Sequence, residues 1–465
     1  MIPLTVGDIA HAVGARRVGA DPSATVTAGV EYDSRRIVPG GLFVAFPGEH
    51  ADGHDFAAGA VAQGAVAVLG TRAVDGVPML LVDDALTAMG RLARMVRDRL
   101  GGLTVVGVTG SSGKTTTKDL LAQLLSRYGP VVAPAGSLNN ELGVPHTVLK
   151  ADEGTRYLVL ELGARGSGHI RYLTDIVRPD VGVVVNVGVA HVGEFGSVDA
   201  IAAAKAELVE ALPPTGLAVL NADDGRVRAM AGRTAARVVL AGEADDAEVR
   251  ATDVSLDDRG RATYTLVAGG TRAPVMLAVA GHHQVGNSLL AAAVAVRLGA
   301  PVPDVAAALG DLRLVSSRRM DVFDRADGVT VIDDSYNANP ASTAAALRAL
   351  AAMGTGRRTV AVLGYLAELG AYERAGHEEV GRLAAELDVD LLVVVGEAAA
   401  PIGAGAAAVA RWGGKSVLVT DQPAAMALLR GELRPGDVVL VKGARYRTWD
   451  VVNALRADDT PGVIA

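Results

Sequence analysis

The densest chemistry in the chain lies between Val105 and Thr117, which read VVGVTGSSGKTTT. A short apolar run, Leu103 to Val108, predicts a buried strand that breaks at a Gly/Ser turn. Beyond the turn, Leu120, Leu121, Leu124 and Leu125 recur at helical spacing. A strand, a glycine loop and a helix N-terminus in that order form an anion cradle, because loop and first-turn N–H groups converge on one point and the helix dipole favours negative charge. Gly110, Ser111, Ser112, Gly113, Lys114, Thr115 and Thr116 would wrap the phosphates of a nucleoside triphosphate. Gly110 and Gly113 would let the main chain approach, Lys114 would reach the β- and γ-phosphates, and the Thr115 hydroxyl would meet Mg²⁺. The common phosphate-loop pattern is matched imperfectly, since its first glycine falls on Val108. An ordinary Gly/Ser turn with an exposed lysine would not explain the three threonines after Lys114.

Further polar residues sit just past predicted buried strands, where open α/β sheets bind ligands. Glu161 ends RYLVLELG, a costly place for a carboxylate unless it meets a metal, a cation or solvent. Asn186 and His191 follow VGVVVNVG, and Lys205 stands in an alanine-rich helical stretch. A histidine after a strand is by itself more often a loop residue than a ligand, and a lone helical lysine usually faces solvent. Their joint appearance with a phosphate loop is what points to Mg²⁺ and phosphoryl transfer.

The elements that must position these groups read as α/β throughout. Strands at Gly41–Phe46, Ala65–Leu69 and Met79–Asp84 precede a helix from Asp84 to Leu100, which ends at Gly101-Gly102. From Leu103 a parallel strand-and-helix alternation runs to Leu314, with helices at Val198–Ala211 and Asn287–Leu298. Within it, Glu248–Ala280 alternates apolar and polar residues between turn signals, which predicts an antiparallel addition. A second βα series follows Leu314: GVTVIDD, TVAVLGY, DLLVVVG, SVLVT and DVVLVKG. The expected organisation is a mixed α/β domain over 1–102, a central P-loop mononucleotide-binding domain over 103–314 and a C-terminal Rossmann-like doubly wound domain over 315–465.

Composition narrows the classes. Of 465 residues, half are apolar and 3% aromatic, which suits layered α/β packing by Ala, Gly and Val. A net charge of −8 with no basic stripe argues against nucleic acid as a partner. With no cysteine, disulfides, thiolate nucleophiles and zinc–thiolate sites are excluded. No segment is apolar over the length of a membrane span and MIPLTVGDIAHAV has no leader character, so a cytoplasmic protein is expected.

The chain resembles the Mur ligases, the ATP-dependent amide-forming family of peptidoglycan synthesis. The resemblance rests on YDSRRIVPGGLFVAFPGEHADGHDF from Tyr32, TGSSGKTTT, GSLNNELGVP, ELGARGSGHI, NVGVAHVGEFGS with AAAKAEL, and GHHQVGNSLLAAAVA. RRMDVF, IDDSYNANPAST, LAELG with the following His377, and VKGAR continue it to the C-terminal part. DDSYNANP, together with Lys442-Gly443-Ala444-Arg445, is similar to the member that adds D-alanyl-D-alanine to a UDP-N-acetylmuramoyl-tripeptide rather than to the one that adds the third residue. The resemblance implies Lys114, Glu161, His191, Lys205 and Arg319 as catalytic residues, with Thr115, Glu161, His191 and a carbamoylated Lys205 on Mg²⁺. It implies ATP contacts from the phosphate loop, Asn287, Arg319 and Asp334. It places Ser34 and Arg35 at the uridine nucleotide, and Asn139 and Asn140 at the muramoyl-peptide. A monomer that closes about Leu312–Ser317 to complete its split ATP site is expected. The sequence departs from the family at His283-Gln284, Gly364-Tyr365, Arg165, His169 and Ala444. Rival readings are the third-residue-adding ligase or a folylpolyglutamate synthase of the same superfamily, and, in a different class, a nucleotide-switch NTPase.

Overall fold

The structure is a computed structural model that describes residues 1–48, 51–189, 192–444 and 446–457. Its centre is a nine-stranded sheet in which Thr104–Thr109 lies between Tyr157–Glu161 and Val181–Val184. All three strands are parallel and nearly wholly buried, as expected for apolar runs covered on both faces by helices. Because parallel strands share one direction, their C-terminal ends bring Thr109, Glu161 and Val184 to one edge, and the loops that follow build the site. Val249–Leu256 joins this sheet parallel to Arg237–Gly242, then continues antiparallel through Arg261–Ala268 and Thr271–Ala280, so the antiparallel addition belongs to the same sheet.

The helix Lys114–Ser126 packs beneath the sheet against the helix His283–Arg297. The second helix starts four residues before the apolar pattern at Asn287 would place it, because its first turn is built from His283, Gln284 and Gly286, which line the cleft. Its Ala291, Ala292, Ala293 and Ala295 are buried, and their small side chains allow close approach.

Two attachments hold the outer units. On the N-terminal side, one apolar cluster runs from Leu4 and Ile9 through Met89, Leu92 and Val96 to Val144, Ile170 and Val177. The five-stranded N-terminal sheet is therefore packed on the centre through the helix Ala85–Arg99 by continuous apolar contact. The C-terminal unit meets the centre mainly through a polar seam, with Met353 against Gly260 as a small apolar patch. Its six-stranded sheet has the five expected strands in parallel plus an antiparallel edge strand, Asp321–Asp324. That strand escaped the pattern because DVFD is exposed at both ends and carries no apolar run. No helix among the described residues is long and apolar enough to cross a membrane.

Candidate active site

A cleft of about 670 Å³ opens between the central and C-terminal units, with the phosphate loop on its floor. The strand ends at Thr109, the loop spans Gly110–Gly113, and the helix starts at Lys114. Gly113 has φ +78°, and a Cβ there would meet Asn287 Oδ1 at 2.8 Å; one on Gly110 would meet Val185 Cβ at 2.9 Å. The glycines thus let the loop pack closely onto its neighbours. Asn186 shapes the loop from the next strand end. Its Oδ1 accepts the N–H groups of Ser111 and Ser112 at 3.0 and 2.9 Å, and its Nδ2 donates to Ser112 Oγ at 3.1 Å.

Lys114 Nζ donates to Gly110 O at 2.9 Å, folding back over the loop it would share with phosphate. Burial pushes its ammonium down from the ordinary lysine value; Glu161 opposes that shift, Arg319 adds to it and Glu368 opposes it. Glu161 is 1% exposed and accepts three neutral hydrogen bonds: Thr115 Oγ1 at 2.8 Å, Ser137 Oγ at 2.7 Å and Asn139 Nδ2 at 2.6 Å. Asn139 therefore bears directly on Glu161, while Asn140 accepts the Gly143 N–H at 2.9 Å and lines the cleft. Thr116 lines the same floor.

Lys205 projects from the helix Val198–Glu210 into the cleft, 4% exposed, with no hydrogen-bond or ion-pair partner among the described residues. Burial, with Lys114 as a smaller cause, pushes its amine down to about 7. His191 lies outside the described residues.

The C-terminal unit closes the cleft from above. Arg319 stacks on Tyr336 at 4.3 Å and brings Nη2 to 3.5 Å from Thr115 Oγ1, so a cation of one unit touches the phosphate loop of the other. Asp334 accepts the Met320 N–H at 3.2 Å and is paired with the buried Lys442, whose Nζ also donates to Asn337 O at 3.0 Å. Lys442 had a readable signal, a charged residue at the end of the buried strand Val438–Lys442, as Glu161 had. On the opposite wall Asn287 Nδ2 donates to Gln284 Oε1 at 2.9 Å, and Thr117 Oγ1 lies 3.3 Å from Asn287 Oδ1. Ser34 and Arg35 do not reach this cleft; they begin a short turn on the N-terminal unit, where Arg35 pairs with Asp33 at 2.7 Å.

The donor set suits a hard divalent cation. Glu161 is a buried carboxylate that has no ion-pair partner among the described residues and lies beside a threonine hydroxyl, and Mg²⁺ commonly takes one or two carboxylates with the remainder from phosphates and water.

A phosphate loop in one α/β unit, capped by an arginine from a second and flanked by a cation-ready carboxylate, defines a nucleotide-dependent enzyme whose site is completed between domains. Three family models match in succession: "Mur ligase family, catalytic domain" over 26–97, "Mur ligase middle domain" over 108–295 and "Mur ligase, glutamate ligase domain" over 318–445. The chain is 49% identical, over the full length of both chains, to the UDP-N-acetylmuramoyl-tripeptide–D-alanyl-D-alanine ligase of Mycobacterium bovis. It is 36% identical to the Escherichia coli protein of that name, over 99% of this chain and 100% of the relative. A crystal structure of MurF from Acinetobacter baumannii superposes with a TM-score of 0.88 at 32% identity, covering 98% of each chain. That of the Thermotoga maritima MurF ligase in complex with ADP gives 0.81 at 30% identity, covering 93% of this chain and 98% of the other. The chain belongs to the Mur ligase family.

Proposed function

We propose that the protein joins D-alanyl-D-alanine to the terminal carboxylate of UDP-N-acetylmuramoyl-tripeptide at the expense of ATP, in peptidoglycan precursor synthesis. The observation that carries this reading is the meeting of Arg319 with the phosphate loop at Thr115, in a chain similar over its whole length to ligases named for that reaction. A carboxylate does not acylate an amine directly, because oxide would have to leave. Transfer of the γ-phosphoryl group to a carboxylate oxygen breaks the bond to ADP and forms an acyl phosphate. The acceptor amine, having lost one proton, attacks the acyl carbon. The C–N bond forms, the C–O bond to phosphate breaks, and phosphate leaves with the electron pair while the second proton departs to it or to solvent.

The protein's own residues do electrostatic work. Lys114 and Arg319 neutralise the crowded phosphate and carboxylate charges from opposite sides, and Asn186 keeps the loop N–H groups in place. Thr115 and Glu161 would hold Mg²⁺, which offsets charge on the phosphates when bound. Lys205 is suited to carbamoylation: a neutral amine is the form that adds CO₂, and the resulting carbamate is an anionic oxygen donor where an ammonium would repel a cation. His191 would complete that second cation site. Asn287, with Gln284, and Asp334 would meet the nucleoside. Ser34 and Arg35 would hold the uridine nucleotide, with Asn140 nearer the peptide. The enzyme would act as a monomer in the cytoplasm, where ATP is found.

The test is phosphate release from ATP and Mg²⁺ with UDP-N-acetylmuramoyl-tripeptide and D-alanyl-D-alanine, omitting each in turn. Release that requires both, with a product heavier by the dipeptide, is expected. Release with a single amino acid, or with no acceptor, would overturn the reading.

A further inference from the structure

Thr115, Asp119, Gln123 and Arg127 recur at every fourth residue, so they form one stripe along the phosphate-loop helix Lys114–Ser126 and just past its end. The chain that leaves the helix Val302–Asp311 for the C-terminal unit runs down this stripe in the opposite direction. Asp311 pairs with Arg127 at 2.8 Å. Gln123 takes the backbone of Arg313 at both ends: its Oε1 accepts the N–H at 3.2 Å and its Nε2 donates to the carbonyl at 2.7 Å. The Ser316 N–H donates to Asp119 Oδ2 at 3.0 Å, and Arg319 then meets Thr115 Oγ1 at 3.5 Å. Four successive contacts thus lay the crossing segment on the helix whose first turn would hold the phosphates.

Their weights differ. Arg127 and Asp311 are exposed, and a surface pair contributes little. Asp119 is 5% exposed, and its other oxygen is held by the buried Lys118, which itself donates to Pro134 O at 2.8 Å. Gln123 is steadied by a second bond, from its Nε2 to Asp119 O at 3.0 Å. Past Ser316 the partners change sides. The Arg318 carbonyl accepts the Tyr336 N–H at 3.3 Å, its guanidinium lies 5.0 Å over Trp449, and the Met320 N–H goes to Asp334. The chain therefore passes from one unit to the other at the exposed Ser317, next to two residues in the left-handed region, Arg318 at φ +60° and Met320 at φ +54°.

We infer that Asp119 and Gln123 are positioning residues for Arg319. They bind the crossing segment to the phosphate-loop helix as far as Ser316, so rotation of the C-terminal unit is left to Ser317–Met320 and the guanidinium returns to the same helical turn whenever the cleft closes. Three residues reach at most about 10 Å from a pinned Ser316, close to the rise of about 6 Å from Asp119 to Thr115. With both clasps released, the next firm anchor is the buried Leu312, and seven residues reach about 25 Å. The inference rests on the ligase reading, and the experiment separates the two.

Phosphate release by the full-length enzyme is measured with Mg-ATP, UDP-N-acetylmuramoyl-tripeptide and D-alanyl-D-alanine for wild type, Gln123→Met and Asp119→Asn, each also in an Arg319→Ala background. Gln123→Met keeps the side-chain length and removes both bonds to Arg313. It should lower kcat about 3- to 10-fold, with Tm and KM for ATP nearly unchanged. Asp119→Asn also disturbs Lys118, so its Tm should fall equally in both backgrounds while its kcat falls only where Arg319 is present. Arg319→Ala alone should cost about 10²- to 10³-fold in kcat, a residue of activity readable at raised enzyme concentration. In that background Gln123→Met should change kcat by less than about 1.5-fold, because the group it places is gone. An unchanged kcat in Gln123→Met, the same fold-loss with and without Arg319, or a rise in KM for ATP that tracks Tm would overturn the inference and assign both residues to helix packing. A wild type that forms no dipeptide product would instead overturn the ligase reading, and the same comparison is then read on the phosphate release that remains.

Discussion

Replacing Glu161 by glutamine isolates the charge of the site from its packing. At Oε1 the carboxylate receives donors from Ser137 and Asn139, and at Oε2 from Thr115. An amide oriented with its oxygen at the first position keeps two of these bonds. Its NH₂ then faces the Thr115 hydroxyl, which can accept instead of donate. The side chain is otherwise isosteric, so all three contacts survive and only the negative charge is lost. Folding should be nearly indifferent, because relief of a buried carboxylate that has no ion-pair partner among the described residues offsets the lost support for the Lys114 ammonium, and Tm should move by less than about 2 °C. Function should suffer. Attraction between unit charges about 4 Å apart is worth about 4 kcal/mol at an effective dielectric constant of 20, and a divalent ion doubles it before solvation is repaid. A net loss of about 3–4 kcal/mol corresponds to about 10²- to 10³-fold in kcat/KM for ATP. Steady-state kinetics over a range of Mg²⁺, with thermal unfolding in parallel, reads both. A loss below tenfold, or one accompanied by a matching fall in Tm, would refute a cation-holding role for Glu161.

Other consequences of the geometry are equally open to measurement. Asn186→Ala removes the one side-chain oxygen that accepts the loop N–H groups of Ser111 and Ser112, leaving Ser111 only the backbone carbonyl of residue 186, and should weaken ATP binding about 10- to 30-fold, read by calorimetric titration. Lys205→Ala should lose activity and regain part of it with a short carboxylate such as acetate or formate; absence of rescue would count against a carbamate. Gly193→Ala places a Cβ against the Gly370 backbone, so kcat should fall while circular dichroism is unchanged, and small-angle scattering with a non-hydrolysable ATP analogue should show a wider molecule than wild type. His146 is buried between Glu31, Tyr32 and Lys150, and burial, with help from Lys150 and against Glu31, holds its imidazole below the ordinary value. The unfolded chain therefore takes up the proton first as pH drops through about 6.5, and stability declines from there toward the lower folded value. Tm should fall more between pH 7 and 5 in the wild type than in His146→Leu.

Strand and helix placement was legible wherever burial is two-sided or periodic. The runs at Thr104–Thr109, Tyr157–Glu161 and Leu391–Val395 are wholly or nearly wholly buried and could be little else. The start of the helix His283–Arg297 and the edge strand Asp321–Asp324 were not legible, since polar residues that line a cleft or face solvent follow no apolar period. The strand, glycine loop and helix start around Gly110–Gly113 were legible because their residues are consecutive. Ser137 on Glu161, and Tyr336 under Arg319, were not, since each pair is far apart in sequence and met only through sheet order and closure.

By itself, then, the sequence determined the chemistry the chain can attempt. A strand–glycine–lysine–threonine segment carries its anion site in local backbone geometry, and charged residues at the ends of apolar strands declare themselves by their cost. Which of those charges meet was decided by the tertiary structure alone. Parallel pairing brings Glu161 to Thr115, and the seam at Gly193 and Gly370 holds Arg319 over the loop. Electrostatic interaction falls with distance through a medium that only folding makes dry, so identical residues kept apart in water would do none of this.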